Sequence, residues 1–406
     1  MSIVLLLTFF SGEVSGQIFS DSTANNLSRS PRFVAFNTMG GVVLPTNDYI
    51  RAGNSWPPFV SLSLKYAVAS AGDKWQDYAY GMPYYGIGLY AARFFEKGGL
   101  GSPISVFLFQ GGDLAEYSRK WSLKYELNLG MSFGWKPYDV FDNPDNIALG
   151  SSVNAHIGAN VYMKHKLSDV IDLNFGLGLT HFSNGAMQLP NKGLNMIAPF
   201  VEIVYNIHPI QTAEDRSASL IPPLHEDRMD YDLSFTSTTR QIRVDTVGTG
   251  LPTRLLDKNF KVFGFSYAAL FVRDYKYKWG PSIELVYDES SDVKVWRQLH
   301  PEDGQFYDRV KLGAFHKRIT LGLSIKGELT FPYVSFFANL GYNILHGNDY
   351  DYRLYQIIGA KAYLKDNIYG TFGIRASRFS KAQYLMWSVG YTIKGKTLKK
   401  KGIIEN

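Results

Sequence analysis

Four polar residues lie close enough along the chain, and are of the right types, to cleave an ester: His181, Ser183, Asn184 and Asn195. A hydroxyl beside an imidazole is a nucleophile–base pair when the two hydrogen-bond. The neutral ring takes the Ser proton and later returns it to a leaving alkoxide. Side chains two apart on a strand share a face and come within that reach. Asn195 could hold the imidazole tautomer through its carbonyl oxygen, and Asn184 could meet an oxyanion with its amide N–H or its side chain. His-x-Ser alone is an unspecific pattern, so the surrounding elements must decide what it means.

Residues 173–205 read as two strands joined by a polar loop. On the first strand Leu173, Phe175, Leu177, Leu179, His181 and Ser183 share one face, and Asn174, Gly176, Gly178 and Thr180 share the other. The candidate pair therefore continues a wholly apolar face. A soluble protein would bury that face, whereas an outer-membrane barrel would turn it to lipid, because its strands alternate apolar-out and polar-in.

The rest of the chain favours the barrel. The same period-two alternation recurs over residues 60–68, 123–133, 319–325 and 384–393, with Lys, Glu, Asn, Ser and Gly on the second face. Runs near ten residues exceed the usual strand of a β-sandwich and suit a tilted membrane strand. Further strands are expected at 33–43, 83–95, 104–110, 151–164, 172–183, 194–205, 261–272, 281–287, 333–342 and 356–364. Aromatic residues make up 15% of the chain, with 27 Tyr and 27 Phe, and there are 38 Gly, a composition that fits interfacial girdles and tight turns. Roughly eight strands precede His208 and a similar number follow Asp230, each an even count as in bacterial barrels.

Residues 209–230 are polar and carry His208-Pro209 at their start and Pro222-Pro223 within, which breaks any central strand and reads as a linker. A weak repeat spans it. Residues 157–164 parallel 358–365, Phe175-Gly176-Leu177 parallels Phe372-Gly373-Ile374, and His181-Phe182-Ser183-Asn184 aligns with Arg378-Phe379-Ser380-Lys381. The fold class expected is all-β: two tandem eight-stranded antiparallel outer-membrane barrels, with one barrel of about sixteen strands as the alternative. The division is then a signal peptide at 1–16, a first barrel at 30–208, a linker at 209–230, a degenerate second barrel at 231–395 and a basic tail at 396–406. Lys65, Lys124 and Glu126 fall on inward faces and could pair inside a narrow lumen.

Composition excludes several chemistries. There is no Cys, which removes thiolate, disulfide and Cys–zinc sites. The formal charge is +6, with no basic block beyond the tail, so no nucleic-acid partner is expected. His156 and His165 lie at opposite ends of one strand, and Asp349 to Asp351 read as a solvated loop, so neither a metal nor a cofactor is expected. The apolar run at residues 3–10 followed by Val14-Ser15-Gly16 resembles a cleavable secretory signal that lacks the usual leading basic residue.

With a periplasmic N-terminus, odd-numbered strands run outward. The seventh then ends at the extracellular rim, the loop at 184–193 is extracellular, and His181, Ser183 and Asn195 share the lipid-facing side at the outer leaflet, where a polar group is costly without a purpose. At these residues a family resemblance emerges. His181-Phe182-Ser183-Asn184-Gly185, then Pro190-Asn191-Lys192-Gly193-Leu194-Asn195, resembles the signature of the PagL-type lipid A 3-O-deacylases, eight-stranded outer-membrane barrels that remove an ester-linked acyl chain from lipid A. The resemblance covers residues 32–207 and is most specific over 181–195. It implies His181 as base, Ser183 as nucleophile and Asn184 as oxyanion-site residue, with a membrane lipid as substrate. The family's triad acid is Glu, and Asn195 stands in its place. Glu202 is an alternative acid, but parity points it inward unless a bulge intervenes. The second half has Arg378 at the His position and lacks a base; Arg378 and Lys381 could grip lipid phosphates or simply sit at the rim. The leading expectation is thus an outer-membrane esterase. A non-catalytic lipid-binding or structural barrel and a pore are the competing ones.

Overall fold

The computed structural model describes residues 30–52, 56–72, 74–95, 99–208, 227–244, 254–273, 275–347, 351–365, 367–379 and 381–397. The signal peptide expected at 1–16, most of the linker and residues 398–406 of the tail lie outside the described residues.

The chain forms two closed antiparallel barrels of eight strands each. The first comprises β1 (Arg32–Val43), β2 (Pro58–Ala69), β3 (Tyr84–Phe94), β4 (Gly101–Ser118), β5 (Trp121–Trp135), β6 (Asn154–Lys166), β7 (Ile171–Ser183) and β8 (Leu194–His208), with β8 closing on β1. Short helices α1 (Asp48–Ala52) and α2 (Trp75–Ala79) lie in its loops. The second comprises β9 (Arg228–Arg240), β12 (Phe260–Arg273), β13 (Tyr277–Asp288), β16 (Ile319–Thr330), β17 (Val334–Leu345), β18 (Leu354–Tyr363), β19 (Ile368–Ser377) and β20 (Lys381–Thr397), with β20 closing on β9. Two hairpins stand outside the barrel wall, β10–β11 (Arg243–Val244 and Arg254–Leu255) and β14–β15 (Lys294–Leu299 and Phe306–Lys311). Two closed barrels displace the alternative of a single sixteen-stranded one, and with it the pore built on that larger barrel.

The alternation in the sequence sets which face is which. Along β2, Leu62 and Leu64 are 51% and 52% exposed while Ser61, Ser63 and Lys65 are buried. Ile325 of β16 is 67% exposed between buried Ser324 and Lys326. Apolar side chains outside and polar ones inside are the inverse of a soluble fold and the pattern of a barrel solvated by lipid. The longest described loops, 136–153 and 289–318, lie at one end, and the other carries short turns such as 119–120 and 331–333 together with the one longer connection 70–83. Outer-membrane barrels point their long loops outward, which puts Ser183 at the extracellular end. Exposed aromatics gather at the opposite end, Tyr66, Trp121, Tyr205, Tyr277, Trp279 and Tyr391 among them, as an interfacial girdle.

Both lumens hold buried ion pairs, since charges shut away from water need partners, and the first also encloses a cluster of buried apolar side chains that includes Phe107, Phe109, Trp135, Phe182 and Phe200. In the first, Lys65 Nζ lies 2.7 Å from Glu126 and 2.5 Å from Glu202. Asn160 donates to Glu126, and Asn37 and Asn174 donate to Glu202. Lys124 pairs with Asp113. In the second, Lys326 and Lys361 are grouped with Asp232 and Glu328.

β9 starts at Arg228, inside the segment read as a linker. Its polar residues mask the strand because they point into the lumen: Asp230 takes Arg228 at 2.8 Å and Lys278 at 3.2 Å. β20 likewise runs on to Thr397. The barrels touch at their girdle ends. Tyr80 donates to the Tyr275 carbonyl at 2.9 Å, Trp75 packs on Tyr275, and Tyr85 meets Tyr333 edge-on at 5.5 Å.

Candidate active site

β7 and β8 form one antiparallel pair in which His181 stands directly opposite Asn195. Below them, towards the membrane, Phe175, Leu177 and Leu179 are 41%, 58% and 51% exposed on the outer wall, while Asp172, Asn174 and Thr180 are buried inward. His181 and Ser183 continue that outer row. Their side chains meet: His181 Nε2 is 2.9 Å from Ser183 Oγ. On the other side of the ring, His181 Nδ1 is 2.7 Å from Asn195 Oδ1. Three of the four residues singled out from the sequence therefore form one hydrogen-bonded chain, Ser–His–Asn, at the end of the outward row of β7, with Ser183 itself buried there.

The direction of that chain is set from a distance. Asn195 Nδ2 donates to Thr46 Oγ1 at 2.8 Å, which leaves Oδ1 for the imidazole. An Nδ1–H donating to Oδ1 leaves Nε2 with a lone pair aimed at the Ser hydroxyl, the tautomer a general base requires. The loop following β1 thus fixes the site through Thr46, and also through Asn47, whose Nδ2 donates to the Gly193 carbonyl at 2.9 Å. Gly193 is in turn held by Ala148 O at 2.9 Å. It has φ +74°, and a Cβ placed there would lie 2.7 Å from His181 Cε1. Only glycine lets the backbone pass this close to the ring.

Asn184 is buried at the start of the loop. Its backbone N–H donates to Asn191 Oδ1 at 3.1 Å, its Nδ2 donates to Gln188 O at 2.9 Å, and its Oδ1 accepts from Gln188 N at 3.3 Å. Residues 184–187 make a tight turn closed by Met187 N to Asn184 O at 3.1 Å, with Gly185 and Ala186 both at positive φ.

Other sequence candidates lie elsewhere. Glu202 faces the lumen and is bound by Lys65 and two Asn side chains, so it is removed from His181. His156 is buried among Tyr90, Phe107 and Phe182, and His165 stacks on Trp121 at 4.0 Å. Among the described residues no group of three or more His, Asp or Glu side chains is placed to hold a metal. Arg378 sits in the β19–β20 turn with its guanidinium 3.5 Å from the Tyr352 ring, and Lys381 is 5.9 Å from the same ring. Ser380, aligned with Ser183 in the repeat, lies outside the described residues. Thr46, Asn47 and the close approach of Gly193 were not singled out from the sequence. Asn191 and Gly193 stand within the motif, and the glycine's position next to the site was the one available signal.

Comparison with known families adds to this geometry. Residues 60–203 match the family described as Lipid A 3-O-deacylase (PagL), and residues 229–395 match the family described as Acyloxyacyl hydrolase, C-terminal domain. The first half thus resembles the lipid A 3-O-deacylases and the second half the acyloxyacyl hydrolase C-terminal domain. The first match spans most of the first barrel, from within β2 to within β8, and the second spans the second barrel, beyond the 32–207 segment legible in the motif. The crystal structure of the outer membrane enzyme PagL is 14% identical, with a TM-score of 0.31, and covers 42% of this chain and 97% of that one. The siderophore receptor PirA from Pseudomonas aeruginosa and the alcaligin outer membrane receptor FauA from Bordetella pertussis are 10% and 9% identical, each with a TM-score of 0.22. Each covers 90% of this chain, and 80% and 76% of their own. No curated protein matches the chain. The two closed barrels and the family matches make this an outer-membrane β-barrel protein.

Proposed function

We propose that the first barrel is an esterase that removes an ester-linked acyl chain from lipid A or a related outer-leaflet lipid, with Ser183 as nucleophile and His181 as base. The observation that carries this is the continuous Ser183–His181–Asn195 hydrogen-bond chain at the outer-leaflet end of a lipid-facing row. A lipid ester reaches such a site laterally, without leaving the membrane. In the first step Ser183 Oγ attacks the acyl carbonyl while its proton passes to His181 Nε2. The tetrahedral oxyanion meets the second N–H of the Asn184 amide, the first being held by Gln188. The C–O bond of the ester breaks, and the sugar alkoxide takes the proton from the imidazolium. Water, deprotonated by His181, then hydrolyses the acyl-enzyme to a free fatty acid.

Asn195 orients the imidazole but carries no charge to oppose imidazolium. The family likeness and the site support catalysis; the neutral third residue is the feature that favours a second reading, a lipid-binding barrel with little turnover. The second barrel, which has no base aligned with His181, is read as non-catalytic. Purified full-length protein in detergent, incubated with lipid A, separates the readings. Release of fatty acid that stops in His181→Ala supports the esterase, and absence of release from the unaltered protein supports the lipid-binding barrel.

A further inference from the structure

We propose that Gln241, which belongs to the second barrel, is a positioning residue for the active-site turn of the first. The proposal rests on the reading of Ser183 and His181 as a catalytic pair.

Gln241 directly follows β9, whose last residue, Arg240, is buried and anchored to Asp288 at 3.0 Å and to Asp351. From that fixed point Gln241 reaches across to the neighbouring barrel twice. Its backbone N–H donates to Ala186 O at 3.0 Å, and its side-chain Oε1 accepts from Leu189 N at 2.9 Å. A third contact comes from Leu385 of β20, which is buried against Gly185. A Cβ on Gly185 would fall 2.2 Å from Leu385 Cγ.

All three contacts land on the segment that begins at Asn184, next to Ser183. Ala186 holds φ +66°, a left-handed conformation an alanine keeps only when its surroundings hold it there. The Gln241 N–H on its carbonyl is such a restraint. Leu189 is the neighbour of Gln188, and Gln188 is joined to the Asn184 side chain by a reciprocal pair of bonds. The position of the Asn184 amide is therefore set by a path that starts on the second barrel: Arg240, Gln241, Leu189, Gln188, Asn184. A barrel without a base of its own would thus complete the site of its neighbour.

The inference is tested on full-length protein in detergent with a long-chain alkyl fluorophosphonate, whose capture by an activated serine does not depend on knowing the natural lipid. The modified residue is located by peptide mass spectrometry, and folding is monitored by the shifted migration of unheated barrels on gels. Gln241→Met keeps the side-chain volume but removes the acceptor. It is expected to slow labelling of Ser183 by about 10- to 100-fold at saturating probe, with half-saturation unchanged, since misplacement acts on the step rather than on binding. Gln241→Glu restores an acceptor and is expected to label within a few-fold of the unaltered protein, a rescue that mere inter-barrel packing would not show. Leu385→Ala, a second route to the same turn, is also expected to slow labelling. Folded Gln241→Met labelling at the unaltered rate overturns the proposal. If that variant does not fold, unaltered labelling of Leu385→Ala overturns it instead. If Ser183→Ala is labelled as well as the unaltered protein, it is the catalytic reading that fails, and the positioning role falls with it.

Discussion

Asn195 Oδ1 lies 2.7 Å from His181 Nδ1 across one rung of the β7–β8 ladder, and Asn195 Nδ2 lies 2.8 Å from Thr46 Oγ1. The third member of the hydrogen-bonded chain is thus a neutral amide, turned with its oxygen towards the ring. In a serine protease, Asp-to-Asn replacement lowers kcat by about 10⁴ because the imidazole is held in the wrong tautomer. Here Thr46 gives the amide N–H₂ its own acceptor, so that the carbonyl faces the ring.

The Asn195 side chain can therefore be changed in both directions. Asn195→Asp keeps the shape and adds a charge opposite the imidazolium, with the Thr46 hydroxyl able to turn and donate. It is expected to raise kcat by about tenfold, charge-assisted hydrogen bonds being the stronger kind. Asn195→Ala is expected to lower kcat by about 100-fold with little change in KM. Steady-state hydrolysis of a fatty-acyl ester in detergent measures both; equal rates for all three proteins would remove Asn195 from the mechanism.

Thr46→Val tests the orientation itself. Without an acceptor at Thr46, the amide no longer gains from pointing its oxygen at His181, and kcat is expected to fall by about tenfold, on the order of one lost hydrogen bond. Thr46→Ser, which keeps the hydroxyl, should retain most of the activity. Activity kept in Thr46→Val and lost in Thr46→Ser would show that the methyl group, not the hydroxyl, matters.

Gly193→Ala places a methyl group 2.7 Å from His181 Cε1 at a φ of +74°. The ring must move, and a displacement near 1 Å at a reacting group costs about 100-fold. The barrel's many ladder bonds lie elsewhere, so the variant should fold and retain unheated gel mobility while losing turnover.

Lys65 tests stability apart from chemistry. It is shared by Glu126 and Glu202 in the lumen of the first barrel. Lys65→Met leaves two carboxylates facing each other without their cation, a change that costs about 3–5 kcal/mol for a buried pair. Urea unfolding in detergent micelles should show the loss, while turnover per folded molecule stays near that of the unaltered protein.

The period of two made the fold readable. Any strand places Phe175, Leu177, Leu179, His181 and Ser183 in one row, and ten-residue rows with Lys65 or Glu126 on the far side fit no soluble layer. Where polar residues belonged to the strand itself the signal failed: β9 begins with Arg228 and Asp230, which resemble a linker until their lumen partners are seen. The meeting of His181 with Ser183 is local and could be inferred from parity. Thr46 is 149 positions from Asn195, and Gln241 is 52 from Leu189, on a different barrel. Contacts of that kind depend on loop paths and on how two closed walls pack, and no spacing along the chain encodes them.

The most direct test of the central claim is mass spectrometry of lipid A from outer membranes carrying either the full-length protein or its Ser183→Ala form at equal abundance. The account predicts lipid A lacking one acyl chain with the unaltered protein and fully acylated lipid A with the variant. The same shortened lipid A from both would contradict it.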